Sequence, residues 1–465
     1  MAAPPHVFAT STFSTPANPD TTMLTRLESQ AIIDKVLKTS KSDETRVSLS
    51  SGTTTHLRFA RNTPSTSGRT TDTVVTVQCT FGTRTGSART NQLDEDSLRS
   101  TVRIAEELAR LAPEDAEFMP ALPPQQYAAS DAWVEETAVS GSPLLASGAE
   151  ECIRSAQEKG LVAAGFLRID ADSDALGNSA GLFAYHRSTI ASMSETVRTS
   201  DGGGSGWVSR AANNIREIDF KEVASVAVEK ALASRNPRKI EPGKYTTILE
   251  PSCAAEMVRS LLFAMDARNA DEGRSYFSQK GGGTKLGERI FPTELTIVSD
   301  PSDTRVPGAP WGEDGLAQKR VEWIDRGIVK NLRTTRYWAK KQGVPPVAFP
   351  PNMLMSGGSG SLQDLIKSTK QGLLVTSFWY IRSVDPQTLM LTGLTRDGVF
   401  WIEDGAIAYP VMNFRWNESP AAVLQNIELM SLPQRIPPRE SASPTMLIPA
   451  IKVREFNFSS LSEAV

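Results

Sequence analysis

The sequence predicts an α+β chain of two domains. Three observations carry that expectation: an early run of alternating strands, a change of composition near residue 240, and two hairpin signals in the second half. The alternation is clearest in "TVVTVQCTFG", where Val75, Val77, Cys79 and Phe81 interleave with Val74, Thr76, Gln78 and Thr80, the period of a half-buried strand. Beyond "NPRKIEPGKY" strand-like segments dominate. The boundary therefore falls near residue 240, giving an N-terminal α/β domain over 23–240 and a strand-rich C-terminal domain over 241–465. The hairpins are "KRVEWIDRGIVKNLRTT", turning at Asp325-Arg326-Gly327, and "GVFWIEDGAIAYPV", turning at Asp404-Gly405.

Taken in order, residues 1–22 are rich in Ser, Thr, Pro and Ala and lack the basic start and apolar middle of a secretory signal. They read as a disordered tail, and the location as cytoplasmic. A helix follows over 23–39, then three short strands, "TRVSLSSG", "THLRFARN" and "TVVTVQCTFG". Residues 94–111 turn helical, with Leu98, Val102, Ala105 and Leu108 on one stripe. The prolines of "PEDAEFMPALPPQQY" keep a linker extended. A helix over 143–159 and strands over 161–200 come next. Asp219 with Glu222 forms a capping-box pattern for a helix ending near Arg235, before Pro237. After the boundary, "YTTILE" reads as a strand and "PSCAAEMVRSLLFAMDAR" as one helix.

The composition narrows the function classes. With 50 basic against 53 acidic residues and a net charge of -3, nothing favours a nucleic-acid backbone as partner. No apolar run reaches the roughly 20 residues that span a bilayer. The histidines are His6, His56 and His186, no two of them close, and the cysteines Cys79, Cys152 and Cys253 offer no metal-site spacing and read as buried hydrophobes. A zinc site assembled from His56, His186 and Cys253 is geometrically conceivable, but His186 reads better as a strand residue with a satisfied hydrogen bond. No serine has a histidine base and a nucleophile elbow around it. "DGGGSG" and "KGGGTKLG" do not complete a phosphate-loop spacing. Gly202, Gly203, Gly204, Gly281, Gly282 and Gly283 are therefore candidates for a mobile lid or for close approach to an extended peptide.

Several segments resemble the TldD/PmbA family. They are "HLRFARN" at 56–62, "LARLAPED" with its proline-rich sequel at 108–124, "LGNSAGL" at 176–182, "SYFSQKGGGTKLGERIFPTELTIVSDP", and the long "GLLVTSFWYIRSVDPQTLMLTGLTRDGVFWIEDGAIAYPVMNFRWNESP". The likeness runs in order from Arg26 to Ile427. It implies a two-domain α+β protein that pairs with a second family member to enclose a cavity. In such a pair the TldD-like subunit is a zinc metallopeptidase that cleaves unfolded peptides, with His-Glu-x-x-x-His on a helix and a later cysteine as third ligand. The PmbA-like, or TldE-like, subunit lacks those ligands.

In this chain the corresponding slot falls at "VRSLLF", so that Val258, Arg259 and Phe263 stand where the motif residues would be, and no cysteine follows Cys253. The resemblance thus points to a noncatalytic subunit with no cofactor of its own. Zinc is expected in a TldD-like partner, and an extended peptide is the shared substrate. An arginine at this slot should meet a carboxylate or lie at a cavity wall. Two alternatives remain: an active peptidase with atypical ligands, and a homodimeric peptide binder that does not cleave.

Overall fold

The computed structural model describes residues 23–312, 314–437 and 445–463, so the expected tail over 1–22 lies outside the described residues. Helix α1 (Arg26–Thr39) begins with a reciprocal cap, in which the Thr25 hydroxyl accepts from the Glu28 N–H and the Glu28 carboxylate takes the Thr25 N–H. Strands β1 (Glu44–Ala60) and β2 (Thr63–Phe81) then make one long hairpin in place of the three short strands expected. Gly52, which reads as an interruption, lies within β1 because Asp172 fills its side-chain space: a Cβ there would come 1.9 Å from the Asp172 Oδ1. The hairpin turns at Arg61 and Asn62, with φ of 53° and 58° and no glycine. The Asn62 side chain holds the turn, donating to the Leu161 carbonyl and accepting from the Ala163 N–H.

Strands β3 (Arg84–Thr90), β4 (Leu161–Asn178), β5 (Phe183–Thr199) and β6 (Ser205–Ala212) complete an antiparallel sheet in the order β3-β2-β1-β4-β5-β6. On β1, β2, β4 and β5 the odd-numbered residues face helices, and on β3 and β6 the even-numbered ones do, as Gly86 and Gly206 show. Val47, Leu49, Val75, Val77 and Cys79 pack with α1 and α2 (Glu95–Leu111). Leu57, Phe59, Leu167, Ile169 and Met193 pack with α4 (Ser142–Gln157) and α5 (Phe220–Ala233); the short α3 (Glu135–Val139) precedes α4. The alternation from Val75 to Cys79 is thus realised.

Two helix details differ from expectation. On α2 the buried stripe closes on Ala109, and Leu108 is 46% exposed, because the 3.6-residue turn carries the stripe from Ala105 to Ala109. The Asp219 cap forms only half of a box. Its carboxylate accepts from the Lys221 and Glu222 N–H groups, while the Glu222 carboxylate is drawn to Arg210. Helix α5 ends at Ala233, where the Ser234 hydroxyl turns to the Ser205 carbonyl.

The C-terminal half is strand-rich, as predicted. Its strands are β7 (Gly243–Leu249), β8 (Ile297–Ser299), β9 (Val321–Asp325), β10 (Ile328–Val329), β11 (Asn352–Met355), β12 (Gln371–Val375), β13 (Phe378–Asp385), β14 (Met390–Thr395), β15 (Val399–Glu403), β16 (Ala406–Val411), β17 (Phe414–Glu418), β18 (Ile427–Met430), β19 (Gln434–Ile436), β20 (Thr445–Ile448) and β21 (Ile451–Leu461). The larger sheet runs β13-β14-β17-β21-β7-β12-β15-β16, with β18 on β21, and the smaller runs β10-β9-β8-β11-β20-β19. Both expected hairpins turn as read, Arg326-Gly327 and Asp404-Gly405 all taking positive φ. Helix α6 (Pro251–Ala264) lies between these sheets, sharing a core with Trp323, Met353, Val453 and Phe456. The single helix expected here breaks, because Asp266 caps a new short helix α7 (Ala267–Asp271) by accepting from the Asn269 N–H. Short helices α8 (Arg336–Gln342), α9 (Leu362–Lys367) and α10 (Pro420–Gln425) fill the connections.

Two measurements test this packing. A Cβ at Gly206 would meet the Ala227 carbonyl at 2.3 Å and the Ala231 nitrogen at 2.7 Å, so Gly206→Ala should lower unfolding stability by about 2 kcal/mol in urea titrations. Glu195 on β5 is fully buried beside the Cys152 thiol, and burial pushes its carboxyl up to about 7. The folded chain therefore holds this proton more tightly than the unfolded chain. Stability should fall by roughly 3 kcal/mol as pH rises from about 4.5 to about 7. In Glu195→Gln that share of the fall should be missing from urea midpoints taken at about pH 5 and about pH 8, while Asp172, also pushed up to about 7 by burial, keeps its own share.

Candidate functional site: helix α6 and the β13 edge

Helix α6 starts with Pro251 in its first turn, where a missing N–H removes nothing the helix needs. It is buried on nearly every side: Cys253, Ala254, Ala255, Glu256, Met257, Val258, Leu261 and Leu262 face inward. Arg259, Ser260, Phe263 and Ala264 are the residues of its later turns that are not fully buried. The Glu256 side chain is 2% exposed and sits one turn before Arg259, whose guanidinium donates to it from Nη2 at 2.7 Å and from Nε at 3.1 Å. The charge of this buried carboxylate is thus met within the helix. Arg259 also lies 5.7 Å from the centre of the Phe263 ring, which is tilted by 37° against Phe349 at 5.0 Å; Arg333 lies 5.8 Å from the centre of the Phe349 ring.

This face forms one wall of a cleft of about 330 Å³, with Asn269 and Arg274 at its rim and Ile381, Arg382 and Ser383 of β13 opposite. Strand β13 is an edge of the larger sheet, and its pairing with β14 is irregular between Trp379 and Arg382 and again between Ser383 and Asp385. Trp379 and Tyr380 are exposed, and Tyr380 holds a φ of 55°, which is uncommon for a bulky residue. Arg382 stacks over Tyr380 at 4.0 Å and Arg396 over Trp379 at 5.0 Å. The cleft therefore offers a sheet edge, aromatic faces and guanidinium donors.

A zinc ion does not fit the motif slot. Val258 is apolar and buried, Arg259 is a donor-only cation, and Phe263 carries no donor atom. Among the described residues no group of three or more His, Cys, Asp or Glu side chains could hold a metal. The other candidate set is scattered. His56 on β1 and His186 on β5 lie far apart along the same sheet, since His186 pairs with Asp174, which pairs with Ser50. That register separates them by roughly 20 Å. Cys253 is buried in α6 and its thiol points to the Val375 carbonyl at 3.6 Å. The His186 ring meets Trp311 edge-on, and burial pushes its pKa down to about 4, so it is neutral at ordinary pH.

The glycine candidates stand apart from this cleft. Gly202 has φ of 75° and open space around it, whereas Gly203 donates to the Asp201 carboxylate. Gly204 packs against α5, where a Cβ would come 2.5 Å from the Ala231 carbonyl. Gly281, Gly282 and Gly283 have φ of 96°, 112° and 89°, and the Gln279 N–H donates to the Gly283 carbonyl across that turn. The residues that build the cleft opposite α6 were missed as a site by the sequence reading. The signal available was the string "FWYIR", an aromatic cluster too dense for a strand with one solvent face.

Comparison with known families places this α+β chain in a metallopeptidase-related class. Three family models match it in turn: PmbA/TldA metallopeptidase domain 1 over residues 46–109, the central domain over 136–235 and the C-terminal domain over 242–459. The chain belongs to the TldD/PmbA family. Metalloprotease PmbA of Escherichia coli is 24% identical over 246 residues, covering 50% of this chain and 52% of that protein, so the chain spans about half the length of this relative. A PmbA homolog of Haemophilus influenzae is 24% identical over 358 residues, covering 71% and 74%. TldE from Thermococcus kodakarensis shares the fold, with a TM-score of 0.83 at 18% identity over 93% of this chain and 99% of that one.

Removing Arg259 would take two charge-assisted donors from the buried Glu256 carboxylate. Arg259→Met should therefore destabilise by about 3 kcal/mol in chemical unfolding, and adding Glu256→Gln should recover most of that loss.

Proposed function

We propose that this chain is the noncatalytic, TldE-like subunit of a zinc metallopeptidase complex that cleaves unfolded peptides. The observation that carries the reading is the content of the motif slot on α6: a buried valine, an arginine satisfied by a carboxylate of its own helix, and a phenylalanine. The partner is a TldD-like chain that holds the zinc, and the complex works in the cytoplasm. This chain completes the cavity and presents the β13 edge and its aromatics to an extended peptide. The presence of TldE among the proteins of like fold supports this reading.

Zinc measured by elemental analysis should be absent from the isolated chain and present when the chain is copurified with a TldD-like partner from its host. Near-stoichiometric zinc in the isolated chain would overturn the assignment. Copurification with only a second copy of itself, without metal, would replace it by a homodimeric peptide binder. In the assembled complex, Trp379→Ala should raise KM for an unfolded peptide about tenfold and leave kcat within twofold, as expected when binding is lost equally from ground and transition states.

A further inference from the structure

A second slot lies on the first sheet, away from α6. Strand β6 pairs with β5 only from Ala191 onward, so the earlier part of β5 is an open edge. The Thr189 N–H donates outward to the Ala132 carbonyl, and the Thr189 carbonyl accepts from the Asn213 side chain. By the alternation of an antiparallel ladder, the N–H and C=O groups of Tyr185 and Arg187 point the same way. Beyond Ala132 the linker stands off this edge, leaving a space of about 560 Å³ between Ala128–Asp131 and Ala184–Arg187. The linker is pinned in that position from behind, by the Tyr127 hydroxyl on the Gly315 carbonyl and the Ser130 hydroxyl on the Gly308 carbonyl.

Two guanidiniums flank the slot. Arg26 lies over the Phe183 ring at 5.1 Å and Arg187 over the Trp133 ring at 4.6 Å, and among the described residues neither makes an ion pair. Stacking fixes the plane of each and leaves its edge N–H groups to donate. Both charges act on the Tyr185 phenol, whose hydroxyl is anchored on the Leu24 carbonyl. The nearby Glu28 is engaged in capping α1. Asp131, on the linker wall, also makes no ion pair among the described residues. Two cations against one carboxylate suit a singly charged guest better than a phosphate dianion.

We propose that this slot binds the carboxylate end of an extended peptide. The main chain of the guest adds to the β5 edge at Tyr185 and Arg187, and its terminal carboxylate is held by Arg26 and Arg187. The choice of a peptide as carrier of the carboxylate rests on the peptide-handling reading above; the guanidinium pair does not.

The test is calorimetric titration of the full chain with N-acetyl-Ala-Val-Ala bearing a free C-terminal carboxylate, beside its C-terminal amide. The acid should bind, and the amide, Arg26→Gln and Arg187→Gln should each weaken binding by roughly tenfold, the loss expected for one charge-assisted contact. Arg187→Lys should retain part of the affinity. Unchanged melting temperatures in these variants would exclude unfolding as the cause. Trp379→Ala alters the β13 edge alone, so binding that survives there but fails in Arg187→Gln separates this slot from the α6 cleft. Equal binding of acid and amide, no binding of either, indifference to both arginine variants, or displacement by equimolar inorganic phosphate would each overturn the proposal.

Discussion

The position of α6 relative to the first sheet depends on a buried polar seam. Lys230 of α5 and Glu250, the residue before α6, pair at 2.7 Å with side chains only 16% and 13% exposed. Beside them the Ser205 hydroxyl of β6 donates to the Asp397 carboxylate at 2.6 Å, and Asp397 is 1% exposed. A partly buried ion pair adds little net stability, but either partner alone would be stranded. The seam therefore acts as an orienting constraint. It allows one docking of the helix-covered sheet on the C-terminal sheets, and the linker bonds at Gly308 and Gly315 fix the same arrangement from the other side.

Within that frame α6 is a helix surrounded by core. Its neighbours leave one short face open, and that face carries an internally matched ion pair and a tilted pair of phenylalanine rings. A buried carboxylate beside a guanidinium keeps its charge matched within one helix. It also accounts for the arginine, which in an apolar slot without Glu256 would be costly.

The β13 and β5 edges are handled differently. At β13, two irregularities and a left-handed tyrosine twist the strand out of simple pairing, which also blunts edge-to-edge association. At β5 the edge stays regular and faces the linker across the slot. Both edges are flanked by arginines stacked on aromatic rings, a combination that offers oriented donors to a chain with its own backbone groups to satisfy.

The sequence by itself determined what depends on local periodicity and turn chemistry. The alternation through Val75–Cys79, both glycine hairpins, the Asp219 helix start and the strand-rich second half were all legible, because each follows from residues a few positions apart. The need of Arg259 for a carboxylate could likewise be stated before Glu256 was seen to meet it. Elsewhere local reading failed for a specific reason. Gly52 sits in a long strand because Asp172, far along the chain, occupies its side-chain space, and the Arg61-Asn62 turn is held by backbone groups of β4. The break after α6, the cleft opposite Arg259 and the slot beside Tyr185 were decided only by tertiary structure. Each depends on which backbone groups are left without a neighbour once sheets and linker are docked, and that is a property of the packed chain rather than of any short stretch of it.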